Sequence, residues 1–166
     1  INKERISTLE LGIIVIGLGN PILGDDGVGW KVAEEVQKQL PPDSPVDVDF
    51  LSLGGISLME HLIGYERAIL IDAFTLDEPI GSILVLKLSD LPNYSAFHTT
   101  SAHDTSLQNA IELGRYMGAP LPDDIEIVGI ATGRIYDFNE DLSPPVAEAV
   151  PFAAGVVLDL LKQAIR

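Results

Sequence analysis

Apolar and polar positions along this chain alternate between two periods. Ile13-Ile14-Val15-Ile16 is an unbroken β-branched run, the pattern of a strand buried on both faces. It leads through Gly17-Leu18-Gly19-Asn20-Pro21, a turn composition, to the adjacent carboxylates Asp25 and Asp26. Residues 26–40 place Val28, Val32, Ala33, Val36 and Leu40 on one stripe, which predicts a helix closed by Pro41-Pro42. Trp30 points away from that stripe, and a contact surface or cover by a neighbouring loop would each account for it. Within 46–53, Val46, Val48 and Phe50 alternate with Asp47 and Asp49, as in a strand near a sheet edge with one wet face. Gly54-Gly55 turns the chain into a short helix, 57–63, stopped by Gly64.

A fully apolar strand, 67–72, is expected to end in Asp72. The next apolar segment, 81–86, follows too closely for a parallel crossover, which needs a dozen or more residues, so it should run antiparallel to its predecessor. The polar loop 87–102 holds His98 and the cluster Thr99-Thr100-Ser101, and a loop of that length in a compact domain is often functional. His103-Asp104 opens another helix, whose buried face is Leu107, Ala110, Ile111, Gly114 and Met117. A last strand at 125–131 precedes the loop 132–142, which carries Arg134, Tyr136 and Phe138. Ser143-Pro144 supplies an N-cap and first-turn pair for a final helix with Val146, Ala149, Val150, Ala153, Val157, Leu160, Leu161 and Ala164 on its apolar stripe. Strands alternating with helices predict one α/β domain over 1–166: a three-layer sandwich with a mostly parallel five-stranded sheet, one antiparallel strand, and helices on both faces.

Composition narrows the partners. Twenty-five acidic residues against ten basic ones leave a formal net charge of -15, which disfavours nucleic acid and anionic membrane and suits a cation or a cationic peptide better, although a solvated acidic surface serving solubility is the commoner explanation. No uninterrupted apolar run approaches the roughly 20 residues that span a bilayer, and no leader pattern opens the chain, so a cytoplasmic location is expected. With no cysteine, any metal here must be held by oxygen and imidazole.

The glycine-rich turn invites comparison with a dinucleotide-binding loop, but after Gly17 and Gly19 the third glycine position is Ile22, and Asp25 and Asp26 would repel a pyrophosphate. In an open parallel sheet ligands bind outside the carboxyl ends of the strands, where Asp26 and Asp72 both belong. Either Asp25 or Asp26 could serve only as a helix cap. A carboxylate at the end of a buried strand, as Asp72 is read, must be paired, hydrogen-bonded, protonated or metal-bound. His103 stands where a helix N-terminus favours neutral imidazole, a metal ligand, although a lone histidine is more often a cap or surface residue. Asp26, Asp72 and His103 can converge on one crevice, and such a set suits Ni, Fe, Zn or Mn without choosing among them.

Gly17-Leu18-Gly19-Asn20 with Asp25-Asp26-Gly27-Val28-Gly29, then Gly54-Gly55 with Met59-Glu60, Ile71-Asp72-Ala73, Ser101-Ala102-His103 and Leu142-Ser143-Pro144 follow in an order that resembles the maturation endopeptidases of nickel–iron hydrogenases. The resemblance implies an enzyme that removes a C-terminal extension from the precursor of the hydrogenase large subunit once nickel is in place, the nickel being supplied by the substrate. Carried over position by position, it places the family's metal-contacting and catalytic residues at Asp26, Asp72 and His103. Ile56 stands where many members carry Thr after the Gly-Gly pair. Two mechanisms fit this expectation: substrate-held nickel polarises the scissile carbonyl or a water, or an aspartate acts as general base. A non-catalytic metal-sensing module that binds the precursor is the alternative.

Overall fold

The computed structural model describes residues 12–52, 54–91, 107–133 and 137–163. Strand β1, Gly12–Leu18, lies inside the sheet, which is why its sequence is apolar at successive positions rather than alternate ones. Parallel strands flank it on both sides, β2 (Val46–Leu51) and β3 (Tyr65–Thr75). Strand β4 (Ile83–Lys87) and strand β5 (Asp124–Thr132) complete the order β2-β1-β3-β5-β4, with β5 parallel to β3 and β4 antiparallel to β5. Helices α1 (Val28–Gln39), α2 (Gly55–Leu62), α3 (Leu107–Tyr116) and α4 (Pro144–Gln163) cover the two faces.

The period-2 geometry of a strand sorts the core into two layers. Val15, Ile69, Ile71 and Val128 face the layer that holds Val32 and Val36 of α1 and Val146, Ala153 and Val157 of α4. Ile14, Ile16, Leu70 and Ile127 face the other, with Leu58 and Leu62 of α2 and Leu107 and Ile111 of α3. This is the predicted three-layer sandwich. By length and mean hydropathy, 1.4, α4 alone among the described helices could cross a bilayer, a composition that the charges at Glu148 and Asp159 hide in a search for uninterrupted runs. Here its stripe of Val146, Ala149, Ala153, Val157 and Leu161 is buried in the core.

Four expectations need correction. Strand β3 does not end at Asp72: Ala73, Phe74 and Thr75 continue the ladder with β5 through Thr75↔Thr132, after the β1 pairing has stopped at Gly17↔Ile71. Strand β4 runs opposite to β3 as expected but is not its neighbour, because β5 lies between them. Met117 lies beyond the end of α3 and is 75% exposed, the helix being closed by Gly118 at φ 84. Ser143 and Pro144 hold the N-cap and first helical positions of α4 as expected, with the Ser143 carbonyl accepting Ala147 N–H at 2.8 Å, but the Ser143 hydroxyl donates to Asp25 rather than serving the helix. Trp30, left open above, is covered by β2: its Nε1 donates to the Leu51 carbonyl at 3.1 Å and its ring stands 5.6 Å from that of Phe50.

Candidate functional site

The site is built by the turn that leaves β1. Gly19 has φ 127, and a Cβ there would lie 2.0 Å from the Asp26 carbonyl oxygen, so the turn closes only over glycine. Asn20 then folds the chain on itself. Its carbonyl accepts from Leu23 N–H at 3.1 Å, and its side-chain oxygen accepts from Ile22 N–H at 3.1 Å. The 3₁₀ turn Gly24–Gly27 follows, and in it Asp26 is 8% exposed, with Oδ2 accepting the Asn20 N–H at 2.9 Å. Neither aspartate is the N-cap of α1, a position that Gly27 holds. Asp25 turns the other way, to Ser143.

Asp72 approaches from β3. It is 3% exposed, stands one residue past the last β1 pairing and opposite Gly129 of β5, and its Oδ1 accepts the Ala73 N–H at 2.8 Å. The 3₁₀ turn of Asp26 packs against this strand. The approach depends on Gly29 in the first turn of α1: a Cβ there would stand 2.4 Å from the carbonyl oxygens of both Leu18 and Ile71. Both obstacles are backbone, so the helix must move away from the strand ends if a methyl is added. Gly29→Ala is therefore expected to destabilise the protein by about 1–3 kcal/mol, as overpacking does. Urea unfolding reads the loss, and an unchanged midpoint would show that α1 is not seated where these distances place it.

The structure thus brings the segments of Asp26 and Asp72 together at the carboxyl end of the sheet. His103 and His98 lie outside the described residues, as do Arg134 and Tyr136. Phe138 is described and is 86% exposed. Among the described residues no group of three His, Cys, Asp or Glu side chains gathers at metal-binding distance, so the described part of the candidate set is a pair of carboxylates. Each of these buried carboxylates has an oxygen accepting a backbone N–H, from Asn20 for Asp26 and from Ala73 for Asp72, and carboxylate oxygens are in general hard donors and proton acceptors.

Open clefts elsewhere do not compete for this role. One of 460 Å³ opens among Leu40, Pro42, Val46, Asp47 and Tyr65, at the amino ends of β2 and β3. There the Tyr65 hydroxyl donates to Asp47 Oδ2 at 2.6 Å, and this bond, with burial and the charge of Asp47 and Asp49, pushes the phenol up to about 12. A second, of 490 Å³, lies by Lys87 and Asp124, again away from Asp26 and Asp72. Sequence reasoning missed the Asp25–Ser143 contact, because it joins residues 118 positions apart and no local pattern marks it.

The hydrogenase maturation protease family matches this chain over residues 30–160, a span that contains Asp72 and begins just past the turn of Asp26. The hydrogenase expression/formation protein HupM of Azotobacter chroococcum is 24% identical over 151 residues, covering 91% of this chain and 72% of that protein. Among solved structures, the hydrogenase maturating endopeptidase HybD of E. coli superposes with a TM-score of 0.73 at 24% identity, over 92% of this chain and 93% of that one. The hydrogenase 2 maturation peptidase of a Thaumarchaeota archaeon superposes with a TM-score of 0.65 at 27% identity, over 90% and 97% of the two chains.

Proposed function

The chain belongs to the hydrogenase maturation protease family, and from that premise we propose that it removes the C-terminal extension of the nickel–iron hydrogenase large-subunit precursor after nickel insertion, with Asp26, Asp72 and His103 as the working residues. Its activity is that of a peptidase. The observation that carries the residue assignment is the turn of buried Asp26 packed on the strand of buried Asp72 at the carboxyl end of the sheet. Two buried carboxylates brought to the carboxyl end of the sheet stand where ligands bind in an open parallel sheet, which supports the assignment.

Nickel enters this reading as part of the substrate. Held by the precursor, it supplies Lewis acidity and a template that fixes the scissile peptide. The chain's own part is to bind and orient: the carboxylates of Asp26 and Asp72 and the imidazole of His103 provide the oxygen and nitrogen donors that a borderline divalent cation takes. Hydrolysis adds water to the peptide carbonyl carbon, breaks the C–N bond, and sends a proton to the leaving amine. One aspartate accepts the proton of the attacking water if the metal serves recognition alone.

Purified protein is mixed with nickel-loaded and nickel-free precursor, and intact mass is followed. Loss of a C-terminal peptide from the loaded form only is the expected result. Cleavage of both forms would remove the nickel requirement. Binding without cleavage of a competent precursor would make the protein a metal-sensing assembly module instead.

A further inference from the structure

We propose that Asp25 is a positioning residue for the peptidase reaction, clamping the turn that carries Asp26 to the start of α4; the proposal rests on the function proposed above. Asp25 uses both carboxylate oxygens on one residue. Oδ1 accepts the backbone N–H of Ser143 at 2.7 Å and Oδ2 accepts its hydroxyl at 2.7 Å. Two short bonds from a charged acceptor fix direction as well as distance.

The anchor is the start of a long helix and the anchored piece is a short turn. Ser143 immediately precedes α4, a 20-residue helix whose stripe is buried against α1 and the sheet. The 3₁₀ turn of Asp26 is four residues long, with glycine at both its ends, Gly24 at φ 54 and Gly27. Glycine at both ends leaves the turn's own backbone angles less restricted than other residues would, so contacts from outside it set its orientation. Asp25 and Asp26 are consecutive, so holding the first on Ser143 sets where the second points. The same loop is fastened again nearby: Gly24 N–H donates to the Asn139 carbonyl at 2.6 Å, and Asn139 N–H donates to the Ile22 carbonyl at 2.9 Å. Those backbone bonds hold the outer part of the loop, whereas the Asp25 carboxylate holds the residue next to Asp26. With both oxygens engaged by Ser143, Asp25 acts through Asp26 rather than on substrate.

The test compares Asp25→Ala, Asp25→Asn and Ser143→Ala with the wild type. Asparagine can keep two bonds by accepting from Ser143 N–H and donating to its hydroxyl, so it retains the clamp without the charge. Positioning predicts that Asp25→Ala lowers kcat about 100-fold while KM moves less than about 3-fold, the cost of a small misplacement of a reacting group. Asp25→Asn should recover at least about 10-fold of that loss. Ser143→Ala, which removes one of the two bonds and is the milder change to the fold, should fall between them. A second readout does not use the reaction. The Asn20 amide donates to Asp26 Oδ2, so its hydrogen-exchange protection should drop in Asp25→Ala and persist in Asp25→Asn. A clamp that is merely structural would lower thermal stability yet leave kcat of the folded protein and Asn20 protection unchanged, and that result overturns the proposal. If the wild type itself cleaves nothing, the functional reading falls, and Asn20 protection still decides whether Asp25 orients Asp26.

Discussion

Asp72→Asn and Asp26→Asn are each expected to leave the protein folded and to slow precursor cleavage by about 10²–10⁴-fold, the range over which a positioned acid or base acts. Asparagine matches aspartate in shape, and its side-chain oxygen can still accept the N–H that each carboxylate now holds, Ala73 for Asp72 and Asn20 for Asp26. What disappears is the negative charge and the ability to take up a proton. Because the volume and the accepting oxygen are kept, unfolding midpoints should stay near the wild-type value. His103→Ala is expected to abolish processing by the same argument about ligand sets. Cleavage followed by intact mass, beside urea unfolding of the same preparations, separates the two effects. A variant that matures the precursor at the wild-type rate strikes its residue from the site.

The opposite behaviour is expected at the other end of the sheet. Arg67 and Glu126 form an ion pair through Nη2 and Oε1, with side chains only 11% and 12% exposed. Arg67 also donates through Nη1 to the Leu160 carbonyl at 2.9 Å, which ties β3 to α4, and its Nε stands 3.3 Å from Asp124 Oδ2. Arg67→Ala leaves Glu126 charged and buried beside an empty space, and breaking a buried pair in this way costs about 3–5 kcal/mol. Against a total stability of about 5–15 kcal/mol, that is a large share. Replacing both partners with apolar residues of similar volume, Arg67→Met with Glu126→Leu, should restore most of the loss, because no uncompensated charge remains. Urea midpoints of the single and double variants measure this directly. A single variant as stable as the wild type would mean that the pair is solvated. The reacting end should be unaffected, so kcat of the folded fraction is expected to stay at the wild-type value.

The two predictions divide the carboxylates by what surrounds them. Glu126 is buried with a guanidinium, which answers its charge and makes it a structural residue. Asp72 follows the apolar series Ala68-Ile69-Leu70-Ile71, and its place there, together with the resemblance carried by Ile71-Asp72-Ala73, marked it for attention in the sequence. Arg67 and Glu126, by contrast, sit near the ends of predicted strands, where nothing in the sequence pairs them. Only the register that sets Ile69 beside Glu126 and Arg67 beside Asp124 reveals them as a network.

The sequence by itself determined the elements, their order and the two-layered core, since the spacing of Val, Ile and Leu records directly which faces leave water. It also determined that Asp26 follows the first strand and that Asp72 lies in a buried one. The tertiary structure alone decided that β5 inserts between β3 and β4, that β3 runs on to Thr75, and that Asp25 reaches Ser143 while Asp26 receives Asn20. Each of these rests on contact between segments distant in the chain or on the direction of a side chain in a turn. Local periodicity carries no record of either, because burial tells a residue to leave water without telling it which neighbour to meet.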